Sequence, residues 1–272
     1  MKISPCAAHW LATFLFVSAL AAPGQAEEIL FFGNSYTQGS GDVAVSRLGV
    51  PKLVEGIARA KGRKIATEMV VAGGKDWGFH LTQSGTVEVL AAKKWDWVVL
   101  QDFSTKPTHV GSVEEHVKNG EEFYRRIHAG SPGARIMLYE TWARAAGNSL
   151  YGDKGFRDPE EMNEELHRGY AASRAGMEAL EAGEQVMIAP VGPAFALSLK
   201  KHPELILHAV DKHHASARGS YLAALVLYAT LFQDSPVGAV ASFPGVEIDP
   251  AEALKLQQIA EEITVPLRRP KL

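Results

Sequence analysis

The chain has 272 residues, 46% of them hydrophobic and 22% charged, the balance of an ordinary globular protein with apolar mass for one good core. A formal charge of −3 with no basic block argues against a nucleic-acid partner. The one cysteine, Cys6, leaves no material for a disulfide framework or a cysteine-ligated metal.

In chain order, Lys2 precedes an uncharged run ending in LATFLFVSALAA, followed by the small-residue site Gly24-Gln25-Ala26. That order predicts a secretory signal peptide over 1–26, cut after Ala26, and hence a periplasmic or secreted protein. The strongly apolar part, Trp10 to Ala22, is shorter than the roughly 20 residues a bilayer span needs, so no stable membrane insertion is expected after cleavage. Cys6 comes before that run, whereas a lipidated cysteine would follow it.

From there, short apolar runs predict strands over 28–32, 65–71, 97–100, 135–139 and 185–189, each apolar enough to be buried on both faces. Amphipathic stretches predict helices over 46–61, 113–129, 159–180, 217–232 and 250–263. Glu160, Glu161 and Glu164 crowd the first turns of the third, where the helix dipole favours acids. Strand and helix alternating in this way make a parallel sheet covered by helices on both sides. The segment 142–159 has no period and is rich in Gly, Asn, Asp and Lys, so it reads as a long loop, either functional or a plain surface insertion.

Ligands of open parallel sheets lie beyond the carboxyl ends of the strands. The residues there are Gly33-Asn34-Ser35-Tyr36-Thr37, then Ala72-Gly73-Gly74-Lys75-Asp76, Gln101-Asp102-Phe103-Ser104, Glu140-Thr141-Trp142 and Pro190-Val191-Gly192-Pro193. Phosphate motifs fail, because Ser40 follows Gly39 where a P-loop needs lysine and Gly33, Gly39 and Gly41 have the wrong spacing for a dinucleotide fingerprint. The nucleophile elbow fails too, with Thr37 at its last glycine.

What survives is a serine at the first strand end and Asp211-Lys212-His213-His214 near the chain's end. A serine nucleophile needs a base, a carboxylate to orient that base, and donors for the oxyanion. Asp211 and His214 are close enough in sequence for one loop to present both, and the Gly73-Gly74 backbone and the Gln101 carboxamide offer the donors. The plainer readings are an N-cap for Ser35, a turn for Gly73-Gly74, and surface histidines for the Asp211 to His214 cluster with His202 and His208, whose spacings match no helical zinc pair. His213 is the rival base, but only His214 has the D-x-x-H spacing. Tyr36, Trp77 and Trp142 follow strand ends and read either as a sugar-stacking surface or as core.

The blocks GNSYT, VVLQ, TWAR, APVGPAF and DKHHASARGSYLAALVLYATLF, in this order from about Ile29 to Gly238, resemble the SGNH (GDSL-like) hydrolases, in a GNSYT-type branch of secreted or periplasmic bacterial proteins. The resemblance implies a flavodoxin-like three-layer α/β/α sandwich with a five-stranded parallel sheet, as one catalytic domain over 27–272. It further implies Ser35 as nucleophile, His214 as general base, Asp211 as its orienting partner, and an oxyanion hole of the Ser35 and Gly74 N–H groups and the Gln101 side chain, with no cofactor or metal. Asn34 stands where the usual opening has aspartate, and Gln101 where the third block has asparagine. Asn34, Tyr36, Trp77 and Trp142 are the candidate substrate-binding residues. The expected activity is hydrolysis of short acyl esters such as acetyl, on small molecules or carbohydrate. The alternatives are a lipase or lysophospholipase and a catalytically silent carbohydrate-binding relative.

Overall fold

A computed structural model describes residues 26–152, 155–183 and 185–268. The expected signal peptide up to Gln25, including Cys6, lies outside the described residues. The first strand, β1 (Glu27–Gly33), carries Ile29, Leu30, Phe31 and Phe32, all fully buried, because it is covered on both faces. It runs into a four-residue helix α1 (Ser35–Gln38), then α2 (Val43–Leu48) and α3 (Val50–Ala60). The helix expected over 46–61 is therefore two. Gly49 separates them at φ +83°, a conformation costly for other residues, and Pro51 restarts the helix in the first turn, where its missing N–H costs nothing.

Next come β2 (Ile65–Val71), the short α4 (Trp77–Leu81) and α5 (Ser84–Ala92), β3 (Trp97–Leu100), α6 (Val113–Gly130) and β4 (Arg135–Tyr139). Helix α7 (Pro159–Glu178) starts with an Asp158 cap on the Glu161 N–H. Strand β5 is only Met187–Ala189, shorter than expected, and the Pro190-Val191-Gly192-Pro193 stretch opens α8 (Val191–Lys201) rather than a loop. Proline is tolerated in a helix's first turn, where no N–H partner exists. The chain closes with α9 (Ala217–Phe232), a small antiparallel hairpin β6 (Ser242–Phe243) and β7 (Val246–Glu247), α10 (Pro250–Thr264) and a turn of 3-10 helix. No described helix is long and apolar enough to cross a membrane.

The five main strands are parallel in the order β2-β1-β3-β4-β5, the flavodoxin-like order. Alternation along the strands divides the core. Ile29, Phe31, Val99, Met137 and Tyr139 face a layer holding Leu53 and Ile57 of α3, Phe195 of α8, Leu225 of α9 and Leu256 of α10, whereas Leu30, Phe32, Val98, Leu100 and Leu138 face Phe123 of α6 and Tyr170 and Met177 of α7. Helix α9 is apolar almost all round and correspondingly buried. With both layers filled, the carboxyl ends of β1, β3 and β4 share one edge, where the polar residues gather.

Candidate active site

Asn34 ends β1 by capping α1. Its Oδ1 accepts the Tyr36 N–H at 3.1 Å, and its Nδ2 donates to the Lys75 carbonyl at 3.0 Å. Ser35 is thereby the first residue of the helix, half-buried, while the cap role falls to its neighbour. Across the edge, the Ser35 Oγ lies 2.8 Å from His214 Nε2, and His214 Nδ1 lies 2.6 Å from Asp211 Oδ2.

The turn before α9 builds this contact locally. Asp211 Oδ1 accepts the N–H groups of His213 and His214, both at 3.0 Å, so one carboxylate folds the loop and holds the imidazole. Lys212 supplies the tight bend at φ +62°, a sparsely populated region for a residue with a side chain. Burial pushes the Asp211 carboxyl up, but the bonds from the His214 ring and from the two backbone N–H groups outweigh it and leave the group well below the usual carboxylate range. An ionised Asp211 keeps the proton on His214 Nδ1 and leaves Nε2 to accept from the serine hydroxyl.

His213 packs its ring 3.9 Å from that of His214, centroid to centroid, yet its Nδ1 faces the Asp211 main chain. Burial, then the Arg144 and His214 charges, push its imidazole down. Ligand atoms of Asp211, His213 and His214 also lie within 4.8 Å of one another, but the Asp211 Oδ2 and His214 Nδ1 of that set are engaged with each other.

The oxyanion side divides. Gly74 sits at φ +69° in a turn closed by the Lys75 N–H on the Ala72 carbonyl at 3.1 Å. Its N–H and that of Ser35 have no hydrogen-bond partner among the described residues, which leaves two donors for developing charge. Gln101 does not join them, and the expectation of a third arm is corrected. Its Oε1 accepts from the Asn34 N–H at 3.0 Å, the Thr37 N–H at 3.3 Å and the Thr37 hydroxyl at 2.8 Å, and its Nε2 donates to the Asp102 carbonyl. The carboxamide lies buried beneath the Ser35 turn as an acceptor, with its donors turned inward. Gln101→Ala would orphan buried donors at about 1–3 kcal/mol each. The expected result is a thermal transition lowered by several degrees together with lost turnover, and an unaltered transition would refute the buttress role.

The substrate-binding expectations are corrected as well. Asn34 is 2% exposed and Tyr36 3%, and Trp77 and Trp142 are fully enclosed, so none offers a surface to a sugar. Tyr36 stacks on Trp142 at 4.4 Å and Trp142 on Phe195 at 4.4 Å, while the Trp142 indole N–H donates to the His213 carbonyl. These rings back the Asp211–His214 loop. Trp77 stacks instead on His116, 4.5 Å away, in the opposite layer.

Asp102 anchors the strand end next to the candidate site. It is fully buried, and its Oδ1 accepts the Trp77 and Phe103 N–H groups at 2.8 Å each, with Oδ2 2.7 Å from His116 Nδ1. The carboxylate thus pins the start of α4, just past the Gly74 turn, to the end of β3. The long segment after β4 is tied to the Asp211–His214 loop: the Ala145 N–H donates to the Lys212 carbonyl at 2.9 Å, and Lys212 Nζ to the Gly147 carbonyl at 3.0 Å. A groove of about 470 Å³ is lined by Gly74, Lys75, Asp76, Phe79, Phe103 and Lys106.

A parallel sheet in this order, with a Ser-His-Asp chain at its carboxyl edge, defines a three-layer α/β protein of flavodoxin-like topology. No family model matches the chain, and no curated protein matches its sequence. Solved structures do match. A DUF4886 family protein from Bacteroides uniformis ATCC 8492 superposes with a TM-score of 0.68 at 19% identity, covering 91% of this chain and 98% of that one. A provisionally assigned SGNH hydrolase from Slackia heliotrinireducens gives 0.59 at 25% identity, over 76% of this chain and 100% of that one. The acetyl xylan esterase AlAXEase gives 0.53 at 19% identity, over 75% and 100% respectively. The chain has the SGNH-hydrolase fold.

Proposed function

We propose that this chain is a serine esterase that hydrolyses short acyl esters, acetyl esters of small molecules or carbohydrate among them, through an acyl-enzyme on Ser35. The observation that carries the reading is the continuous contact from Ser35 Oγ through the His214 ring, 2.8 Å and then 2.6 Å, to Asp211. Ser35 Oγ attacks the ester carbon as His214 Nε2 takes its proton, and the carbonyl oxygen, now charged, turns to the Ser35 and Gly74 N–H groups. The tetrahedral species collapses, and the alcohol leaves with the proton held on His214. Water, activated by the same imidazole, then frees the acid and restores the serine.

The short-chain preference rests on the groove beside Gly74. Its walls carry Lys75 and the Lys106–Asp76 ion pair, 3.2 Å apart, as well as Phe79 and Phe103, and a long alkyl chain would strip water from these charged groups and give nothing polar in return. A panel of 4-nitrophenyl esters tests this: acetyl should exceed octanoyl in kcat/KM by about tenfold or more, equivalent to about 1.4 kcal/mol in the transition state. The reverse order would support a lipase instead.

The same reading has the chain exported, with the segment before Glu27 removed. The mature protein, recovered from the producing cell, should begin at Glu27 by N-terminal sequencing, and an N-terminus retaining residues 1–26 would refute export by this route.

A further inference from the structure

Arg144 is a cation at the edge of the site with no carboxylate against it. It is half-buried on the segment after β4, where one guanidinium nitrogen donates to the Tyr36 hydroxyl at 2.7 Å and another to Ser104 Oγ at 2.8 Å. No acidic side chain pairs with it among the described residues. Both hydroxyl partners are neutral. Burial, against the pull of Arg144 itself, pushes the Tyr36 phenol up to about 12, so it orients the guanidinium at neutral pH without cancelling its charge.

The position is fixed from both sides. The Ala143 N–H donates to Asn163 Oδ1 at 3.0 Å, and the Ala145 N–H to the Lys212 carbonyl at 2.9 Å, so the main chain either side of Arg144 is tied to α7 and to the catalytic loop. The site is also close. Tyr36 follows Ser35 directly, and its ring meets that of His214 edge-on at 5.5 Å.

Taking a guanidinium partly out of water with no counter-charge is unfavourable, and natural sites keep such a group where an anion arrives to offset the cost. If Arg144 served only to link Tyr36 to Ser104, a neutral amide would do so without that cost. A planar fork has five donors, of which the two hydroxyls take two, leaving three N–H groups without a partner among the described residues and able to bind a carboxylate. We infer that Arg144 is a specificity-determining residue that seats a carboxylate carried by the ester substrate, beside the bond held at Ser35. The inference rests on the esterase reading above and narrows it to anionic esters. The carboxylate belongs either to the acyl part, as in a half-ester of a dicarboxylic acid, or to the alcohol part, as in an acylated hydroxy or uronic acid. Both present the same group to the guanidinium.

Two matched pairs separate those sources: 4-nitrophenyl hemisuccinate against its methyl ester for the acyl side, and 4-acetoxybenzoate against its methyl ester for the alcohol side. In at least one pair the acid should exceed the neutral ester in kcat/KM by about tenfold. That ratio should fall toward one in Arg144→Gln, be intermediate in Arg144→Lys, which keeps the charge but loses the fork, and shrink as salt is raised. Because the neutral ester is the internal reference, a general loss of activity in a variant leaves the ratio readable. Acids no better than their methyl esters, or a ratio unmoved in Arg144→Gln, would overturn the inference, while Ser35-dependent hydrolysis of the neutral esters would leave the esterase reading standing. Should no ester turn over, calorimetric titration of Ser35→Ala with monomethyl succinate and dimethyl succinate decides. Preferential binding of the monoanion, lost on adding Arg144→Gln, supports the site, and equal binding refutes it.

Discussion

Ser35→Ala is expected to lower kcat on a 4-nitrophenyl ester by about 10⁴–10⁶-fold, the loss that removing a nucleophile causes when relay and donors act as a unit. The fold should be untouched. The Ser35 hydroxyl makes its side-chain contact with His214 alone, and the turn around it is held by other groups: the Asn34 cap, the Gln101 carbonyl and the Thr37 hydroxyl. Far-UV circular dichroism and the thermal transition should therefore superimpose on those of the parent. Retained turnover would move the chemistry to another residue, and a collapsed fold would mean that Ser35 has a structural role its contacts do not reveal.

Asp211→Asn carries the second large effect, about 10²–10⁴-fold in kcat. The amide is nearly isosteric, and its Oδ1 can still accept the N–H groups of His213 and His214, so the loop should persist. What changes is the partner of His214 Nδ1. An amide NH₂ there selects the tautomer with its proton on Nε2, and that nitrogen can no longer take the serine proton. The Asp211 side chain is 42% exposed, so water shares its work and the loss should sit below that of a wholly enclosed aspartate. A kcat within twofold of the parent would show that Asp211 shapes the loop without tuning the base.

Much of this architecture was legible in the sequence because doubly covered strands read as uninterrupted apolar runs. The spans 65–71, 97–100 and 135–139 are the strands found, and β1 extends its expected range by one residue at each end. The break at Gly49 was missed because the amphipathic pattern continues through it, although Gly49 and the Pro51 that follows are the residues that stop one helix and start the next. Helix α8 was hidden because Pro190 and Pro193 signal a loop unless the first turn's freedom from N–H partners is considered.

In the site, strand-end position and the D-x-x-H spacing singled out the three side chains that the structure brings together. Spacing could not say which way an amide points. Gln101 became an acceptor because the Asn34 and Thr37 N–H groups and the Thr37 hydroxyl all converge on its oxygen, a fact of the folded turn. The aromatics misled for a related reason. A strand-end location does not fix exposure, and the Tyr36-Trp142-Phe195 stack needs a ring from α8, distant in sequence. Arg144 stood in the sequence only as the last residue of the TWAR block, because an arginine without an acidic partner is recognisable only once its surroundings are known.

If His214 makes Ser35 nucleophilic, covalent labelling reads it directly. Intact-mass analysis after treatment with a fluorophosphonate should show a single adduct, mapped by peptide sequencing to Ser35 and formed far more slowly in His214→Ala. No adduct on the parent protein, or one on a different residue, would contradict it.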